Sequence, residues 1–135
     1  MLFDKEALFS DNQAVTATAV SKNVVCMAKG SLKEVALGSP IPMAIQVTED
    51  FAGLTDLTVT IETASDEAFS EAVALTTTGA IAGADLKAGY TFAINFVPKG
   101  NLGYMRAKYT VNGTATAGKI TAGVVAANGG RFHEA

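Results

Sequence analysis

The sequence predicts an all-β protein, an antiparallel β-sandwich of about eight strands. Three observations carry that expectation. Apolar residues recur with a period of two along most of the chain, which is the strand period. The pair Asn112-Gly113 lies between two such runs, where a type I′ turn needs positive φ at both central residues. Leu, Ile, Val and Phe make up 34 of 135 residues. That exceeds the ~20% below which chains stay disordered, and the length suits one domain with a real core.

The elements follow in order. Leu2, Phe3, Leu8 and Phe9 are four bulky apolar side chains at a terminus, where polar fraying is common. They must dock, either on this chain's own sandwich or as an arm on a neighbour. Residues 1–13 are therefore read as an N-terminal arm or first edge segment, residues 14–127 as the sandwich, and residues 128–135 as a C-terminal tail. Ala14–Val20 alternates small apolar residues with Thr, and Asn23–Ala28 is a shorter candidate. Met43–Thr48 puts Met43, Ile45 and Val47 on one face, and Leu57–Ile61 alternates apolar residues with Thr. The stretch from Glu67 to Leu75 is read as a loop running into a short strand, Ala72–Thr76. Tyr90–Phe96 places Tyr90, Phe92, Ile94 and Phe96 together, facing the core.

Tyr104–Val111 turns Met105, Ala107, Tyr109 and Val111 inward and Tyr104, Arg106 and Lys108 outward. Lys119–Ala126 is the last strand. A two-residue loop at Asn112-Gly113 pairs Val111 with Thr114, Tyr109 with Thr116 and Met105 with Ile120. It also sets Arg106 opposite Lys119 with Lys108 close by. Like charges in that arrangement repel, so an acidic group is expected beside them, on a neighbouring strand or on a partner. Gly38-Ser39-Pro40 and Pro98–Asn101 read as turns. Asp85–Gly89 reads as one helical turn with Asp85 as its N-cap.

Composition narrows the function classes. Ten basic against thirteen acidic residues give a net charge of −3, without the basic excess of a nucleic-acid binder. No apolar run has the ~18–20 residues of a membrane span. The opening MLFDKEALFSDNQ carries charges where a secretory signal needs an apolar stretch, which predicts a cytosolic product. Cys26 is the only cysteine and His133 the only histidine, so a disulfide, a cysteine–zinc cluster, a multi-histidine metal site or a histidine-based triad has no material. No catalytic residue, cofactor or metal is expected. Charged residues make up only 17%, and 24 Ala, 15 Thr and 13 Gly fill the shortfall. Such a surface suits either a Thr-rich β protein or an assembly component covered in part by another protein.

Four motifs need weighing. Gly113–Lys119 fits the first seven positions of a phosphate-binding loop, but Ile120 stands where the Mg²⁺-binding hydroxyl belongs, and no helix follows. A turn plus a small-residue strand explains it better. Asn112-Gly113-Thr114 is formally a glycosylation sequon, and without a secretory signal it marks only a turn. Glu49-Asp50 and Asp66-Glu67, with Glu71 nearby, read as solvated loop charges rather than a Ca²⁺ loop or a glycosidase pair. Cys26, between Val25 and Met27, reads as a buried thiol.

Several segments resemble small capsid cement, or decoration, proteins of tailed bacteriophages, particularly the jelly-roll cements of some short-tailed phages. They are Asp4 with Leu8-Phe9-Ser10-Asp11, Gln13 and Thr16-Ala17-Thr18; Ile41-Pro42 with Gln46–Phe51; Asp66-Glu67-Ala68-Phe69; Leu86-Lys87-Ala88-Gly89; and Tyr109-Thr110-Val111 with Gly113–Gly123. The likeness runs over nearly the whole chain and lies in the order and spacing of the pieces. It implies a jelly-roll-like sandwich on the outside of a virion capsid, made in the host cytoplasm and clamping adjacent major capsid subunits. It also points to a homo-oligomer, with a dimer favoured, and brings no catalytic residue.

The sequence thus leads to a structural virion protein. The alternatives are a non-catalytic binding module, carbohydrate-binding or adhesin-like, and a carboxylate-based hydrolase. The candidate capsid contacts are Leu2, Phe3, Leu8 and Phe9 in the N-terminal segment, the loop at Asp50 and Phe51, and the basic group of Arg106, Lys108 and Lys119. Neither nucleic acid nor membrane is an expected partner.

Overall fold

In a computed structural model, residues 3–26, 42–94, 96 and 102–125 are described. Among these residues the strands are β1 (Phe3–Ala14), β2 (Ala19–Val20), β3 (Val25–Cys26), β4 (Met43–Ala64), β5 (Val73–Thr77), β6 (Ile81–Ala82) and β7 (Tyr104–Val125), with a 3₁₀ turn at Gly83–Asp85. All strand pairs are antiparallel.

Two strands of 22 residues organise everything else. β4 and β7 pair from Met43 opposite Val124 to Ala64 opposite Tyr104. The ladder is regular at both ends and irregular between Val47 and Asp56, where bulges let the ribbon bend. The flanking strands differ on the two sides of that bend. β1 lies beside the 119–125 part of β7, and Val47 and Phe92 bond the strap 90–92 to the 45–47 part of β4. On the far side, β2 and β3 lie beside the 104–109 part of β7, and β5 and β6 beside the 56–63 part of β4. The ribbon thus contributes two strands to each of two layers, with one shared core between them.

The alternation read in the sequence fills that core. Met43, Ile45 and Val47 from one layer join Leu57, Val59, Ile61, Met105, Ala107 and Tyr109 from the other, with Phe9, Phe92 and Ile120. Directly opposed residues share a face, so Val59 with Tyr109 and Ile61 with Ala107 point inward together.

Several local expectations are corrected. Asn112-Gly113 does not close a hairpin: both residues lie inside β7, opposite Asp56 and Leu54. The positive φ of Gly113 (96°) serves an irregular strand instead of a turn. Val111 therefore pairs with Leu57, Met105 with Thr63 and Ile120 with Val47. A turn signal is local, and β4 outcompetes it by offering a matched apolar face along the whole of β7. Met43–Thr48 and Leu57–Ile61 likewise merge into one strand, as do Tyr104–Val111 and Lys119–Val125. Ala14–Val20 is not continuous: β1 ends at Ala14, the chain bends, and β2 begins at Ala19.

Tyr90–Phe96 forms only isolated bridges, at Thr91 and Phe96. Phe92 and Ile94 are buried as expected, but Phe96 is 56% exposed because no ladder holds its alternation. The helical turn starts two residues before the expected one, so Asp85 closes it rather than capping it. Met1, Leu2, the 38–40 and 98–101 turns, the 128–135 tail with His133, and the side chains of Phe3 and Cys26 lie outside the described residues.

Candidate interaction surface

The nine residues singled out in the sequence fall in three places. The N-terminal four belong to β1 or precede it. Phe3 opens β1 opposite Val125, and Leu8 stands half-buried opposite Gly123. Phe9 is fully buried in the core, so this side chain serves its own domain and is not presented to a partner.

The neighbouring Ser10 carries a polar chain across the interior. Its hydroxyl donates to Gln13 Oε1 at 2.7 Å and therefore accepts from the Tyr109 hydroxyl at 2.6 Å. Gln13 completes it by accepting from Lys22 N–H and donating Nε2–H to the Val20 carbonyl. β1 belongs to one layer and Tyr109 and Val20 to the other, so these bonds tie the layers together. Burial pushes the Tyr109 phenol well above its ordinary range, and the Ser10 hydrogen bond offsets this only in part.

Asp50 and Phe51 sit at the bend of the ribbon. Asp50 is exposed, and its carboxylate accepts from Ala88 N–H at 2.7 Å. Phe51 donates its backbone N–H to the Leu86 carbonyl at 2.9 Å and buries its ring. That ring packs directly against Gly118, whose φ is 140°; a Cβ there would come within 2.3 Å of a ring carbon. Phe51 is thus a structural anchor for the 83–89 loop, and Asp50 is the accessible member of the pair.

The basic group separates. Arg106 and Lys108 share the outer face of one layer, opposite Glu62 and Thr60. Lys119 lies beyond the bend, opposite Glu49 and Ala14 in the other layer. The acidic neighbour expected for Arg106 is Glu62, at 2.9 Å from Nε. The guanidinium also stacks 4.3 Å from the centre of the Phe69 ring. Phe69 reaches that position through a tight turn: its N–H bonds Asp66 O, and Asp66 also accepts from the Ser70 hydroxyl. Asp66 is therefore used as a turn acceptor, and Glu67 and Glu71 are exposed.

Beyond the Arg106–Glu62 pair, the outer face beside Lys108 carries small uncharged residues. Thr58 faces Thr110, Thr60 reaches Thr77, and Val20 stands opposite Lys108. Among the described residues four large apolar side chains are exposed: Val20, Val73, Phe96 and Leu102. Sequence reasoning singled out none of them as a contact. Val73 and Leu102 both adjoin Thr63, by register and by the Leu102 N–H bond to its hydroxyl. Nothing in the period-two pattern marks them, because they stand where strands begin.

Of the three tyrosines, Tyr109 is buried and Tyr90 and Tyr104 are half-buried, with Tyr90 packed edge-on against Phe92. The 113–119 run that imitates a phosphate loop is strand throughout. Among the described residues no three His, Cys, Asp or Glu side chains converge to hold a metal ion, and no helix is long and apolar enough to cross a membrane.

The family model described as Bbp16 matches residues 9–124, which span the fold from Phe9 in β1 almost to the end of β7. No curated protein matches the chain.

Proposed function

The chain belongs to the Bbp16 family, and we propose that it works as a structural virion protein. In this reading it binds the outer surface of an assembled phage capsid and stabilises the shell by bridging major capsid subunits. The observation that carries the reading is the ordered set of segments resembling phage capsid cements, from Asp4 to Gly123. A sparsely charged, threonine-rich composition on a two-layer β domain is compatible with it.

The mechanism is thermodynamic. A protein that binds only the assembled shell stabilises that state by mass action, by about 2.7 kcal/mol per site at a hundredfold excess over Kd. Copies that bridge separate subunits add avidity without any covalent bond. A dimer on a two-fold axis is the favoured assembly, since two-fold closure needs one self-complementary patch. The contact falls to accessible groups, Leu8, Asp50, Lys108 and Lys119, while Phe9 and Phe51 hold the domain that presents them. A glycan-binding module would want an exposed aromatic row, and the tyrosines do not form one.

Co-sedimentation of the purified protein with emptied capsids tests the proposal. Saturable binding and a raised shell melting temperature are expected. Absence of binding to capsids that lack their own decoration would overturn it.

A further inference from the structure

The Asn112-Gly113 pair that does not form a turn has a different chemical consequence. We infer that Asn112 is a site of spontaneous deamidation, and that its conversion is a charge and register switch in the ribbon that builds the core. Three features of the site converge. Gly113 has no side chain to obstruct attack by its backbone nitrogen on the preceding carboxamide. Asn112 is exposed. The β4–β7 ladder is irregular on both sides of Gly113, between Ala52 and Leu54 and again between Leu54 and Asp56. Cyclisation requires Asn112 to rotate out of its extended conformation, which a regular ladder opposes and an interrupted one permits through local opening.

The reaction balances with water alone. The Gly113 nitrogen loses its proton to solvent and bonds to Asn112 Cγ, the Cγ–Nδ2 bond breaks, and ammonia leaves. Water then opens the cyclic imide at either carbonyl. One opening leaves aspartate; the other routes the main chain through the side-chain carbon as isoaspartate.

The surroundings give both products an effect. Asn112 pairs directly with Asp56 and donates Nδ2–H to its carboxylate at 3.2 Å. Aspartate at this position replaces that bond with two opposed carboxylates, which is unfavourable for directly paired strand residues. Isoaspartate adds a backbone atom to β7 and breaks the match between Val111 and Leu57 that aligns the core face. Asn12, Asn23, Asn95 and Asn101 precede larger residues, and Asn128-Gly129 offers the same chemistry in the tail.

The test is ageing of the intact protein in mildly alkaline buffer beside a urea-unfolded aliquot. Peptide mapping and isoaspartyl methyltransferase labelling are read at Asn112. Opening of the local ladder predicts a native rate within about a hundredfold of the unfolded rate, whereas a route through global unfolding slows it about a thousandfold or more. Asn112→Gln should abolish the product at this position and leave that at Asn128. Fresh Asn112→Asp protein should melt several degrees below the parent, with a deficit that shrinks in high salt. A native rate more than about a hundredfold below the unfolded one would overturn the site. An Asn112→Asp protein as stable as the parent would overturn the switch.

Discussion

The polar chain through the interior can be dissected by a double-mutant cycle on Ser10 and Tyr109. The hydrogen-bond directions fix what each deletion does. Gln13 Oε1 is an acceptor, so Ser10 donates to it and receives the proton of Tyr109. Tyr109→Phe removes the terminal donor and leaves Ser10 bonded to Gln13, a loss of ~0.5–1.5 kcal/mol. Ser10→Ala is worse, because the phenol of a fully buried tyrosine keeps its O–H and loses its acceptor; that costs ~1–3 kcal/mol. Gln13 retains Lys22 N–H in either case. With both groups removed no orphan remains, and the double variant should be destabilised by ~1–2 kcal/mol less than the sum of the singles. Urea unfolding followed by far-UV circular dichroism gives all four stabilities, provided the slopes stay equal. Effects that add within ~0.5 kcal/mol would refute the bond directions and the role of the chain as a tie between layers.

Other outcomes follow from the same structure. Ionising Tyr109 opposes folding, since its folded pKa lies above the ordinary 10.0. This contribution is complete below pH 10 and is lost above it at up to ~1.4 kcal/mol per pH unit, and Tyr109→Phe should flatten the alkaline limb of a stability–pH curve. Deleting residues 1–10 removes buried Phe9 and Ser10 and should lower the melting temperature sharply; an unchanged melt would mean that β1 contributes no packing. Gly118→Ala drives a Cβ into the Phe51 ring at a φ that side chains avoid, and should cost ~2–5 kcal/mol in chemical denaturation. Phe92→Ala empties a buried site against Tyr90 and should cost ~3–5 kcal/mol; an equally stable variant would refute its inward facing.

The inward faces were legible because a half-buried strand writes its environment into alternate residues. Met43, Ile45 and Val47, then Leu57, Val59 and Ile61, then Met105, Ala107 and Tyr109 are all buried as the pattern requires. Strand partners were not legible, because pairing is a long-range choice and Asn112-Gly113 is a local signal. The same mistake set Lys119 beside Arg106, where Glu62 stands. An acidic neighbour nevertheless stands beside Arg106, at Glu62, although the opposed lysine from which it was expected is absent. Phe9 reads as a large apolar group needing a surface and Phe51 as part of a contact loop, but composition cannot tell an internal surface from an external one. The alternation failed at Phe96 because a single bridge to Pro42 does not enforce a strand.

The pairing of β4 with β7 also dictates when the protein can fold. The 56–63 part of β4 finds β5 and β6 close by in sequence, but its other edge has no local partner: Ala64 waits for Tyr104, and Met43 waits for Val124. Contacts of such long range are slow to form, because loop-closure entropy is spent before any ladder rewards it. During synthesis, β4 leaves the ribosome with its apolar face uncovered and stays so until β7 has been made. β7 then supplies a central strand to both layers at once, so neither layer can mature ahead of the other. A nascent chain stalled before Tyr104 has no half-domain to fall back on, and it should be held by chaperones or degraded rather than accumulate as a stable fragment.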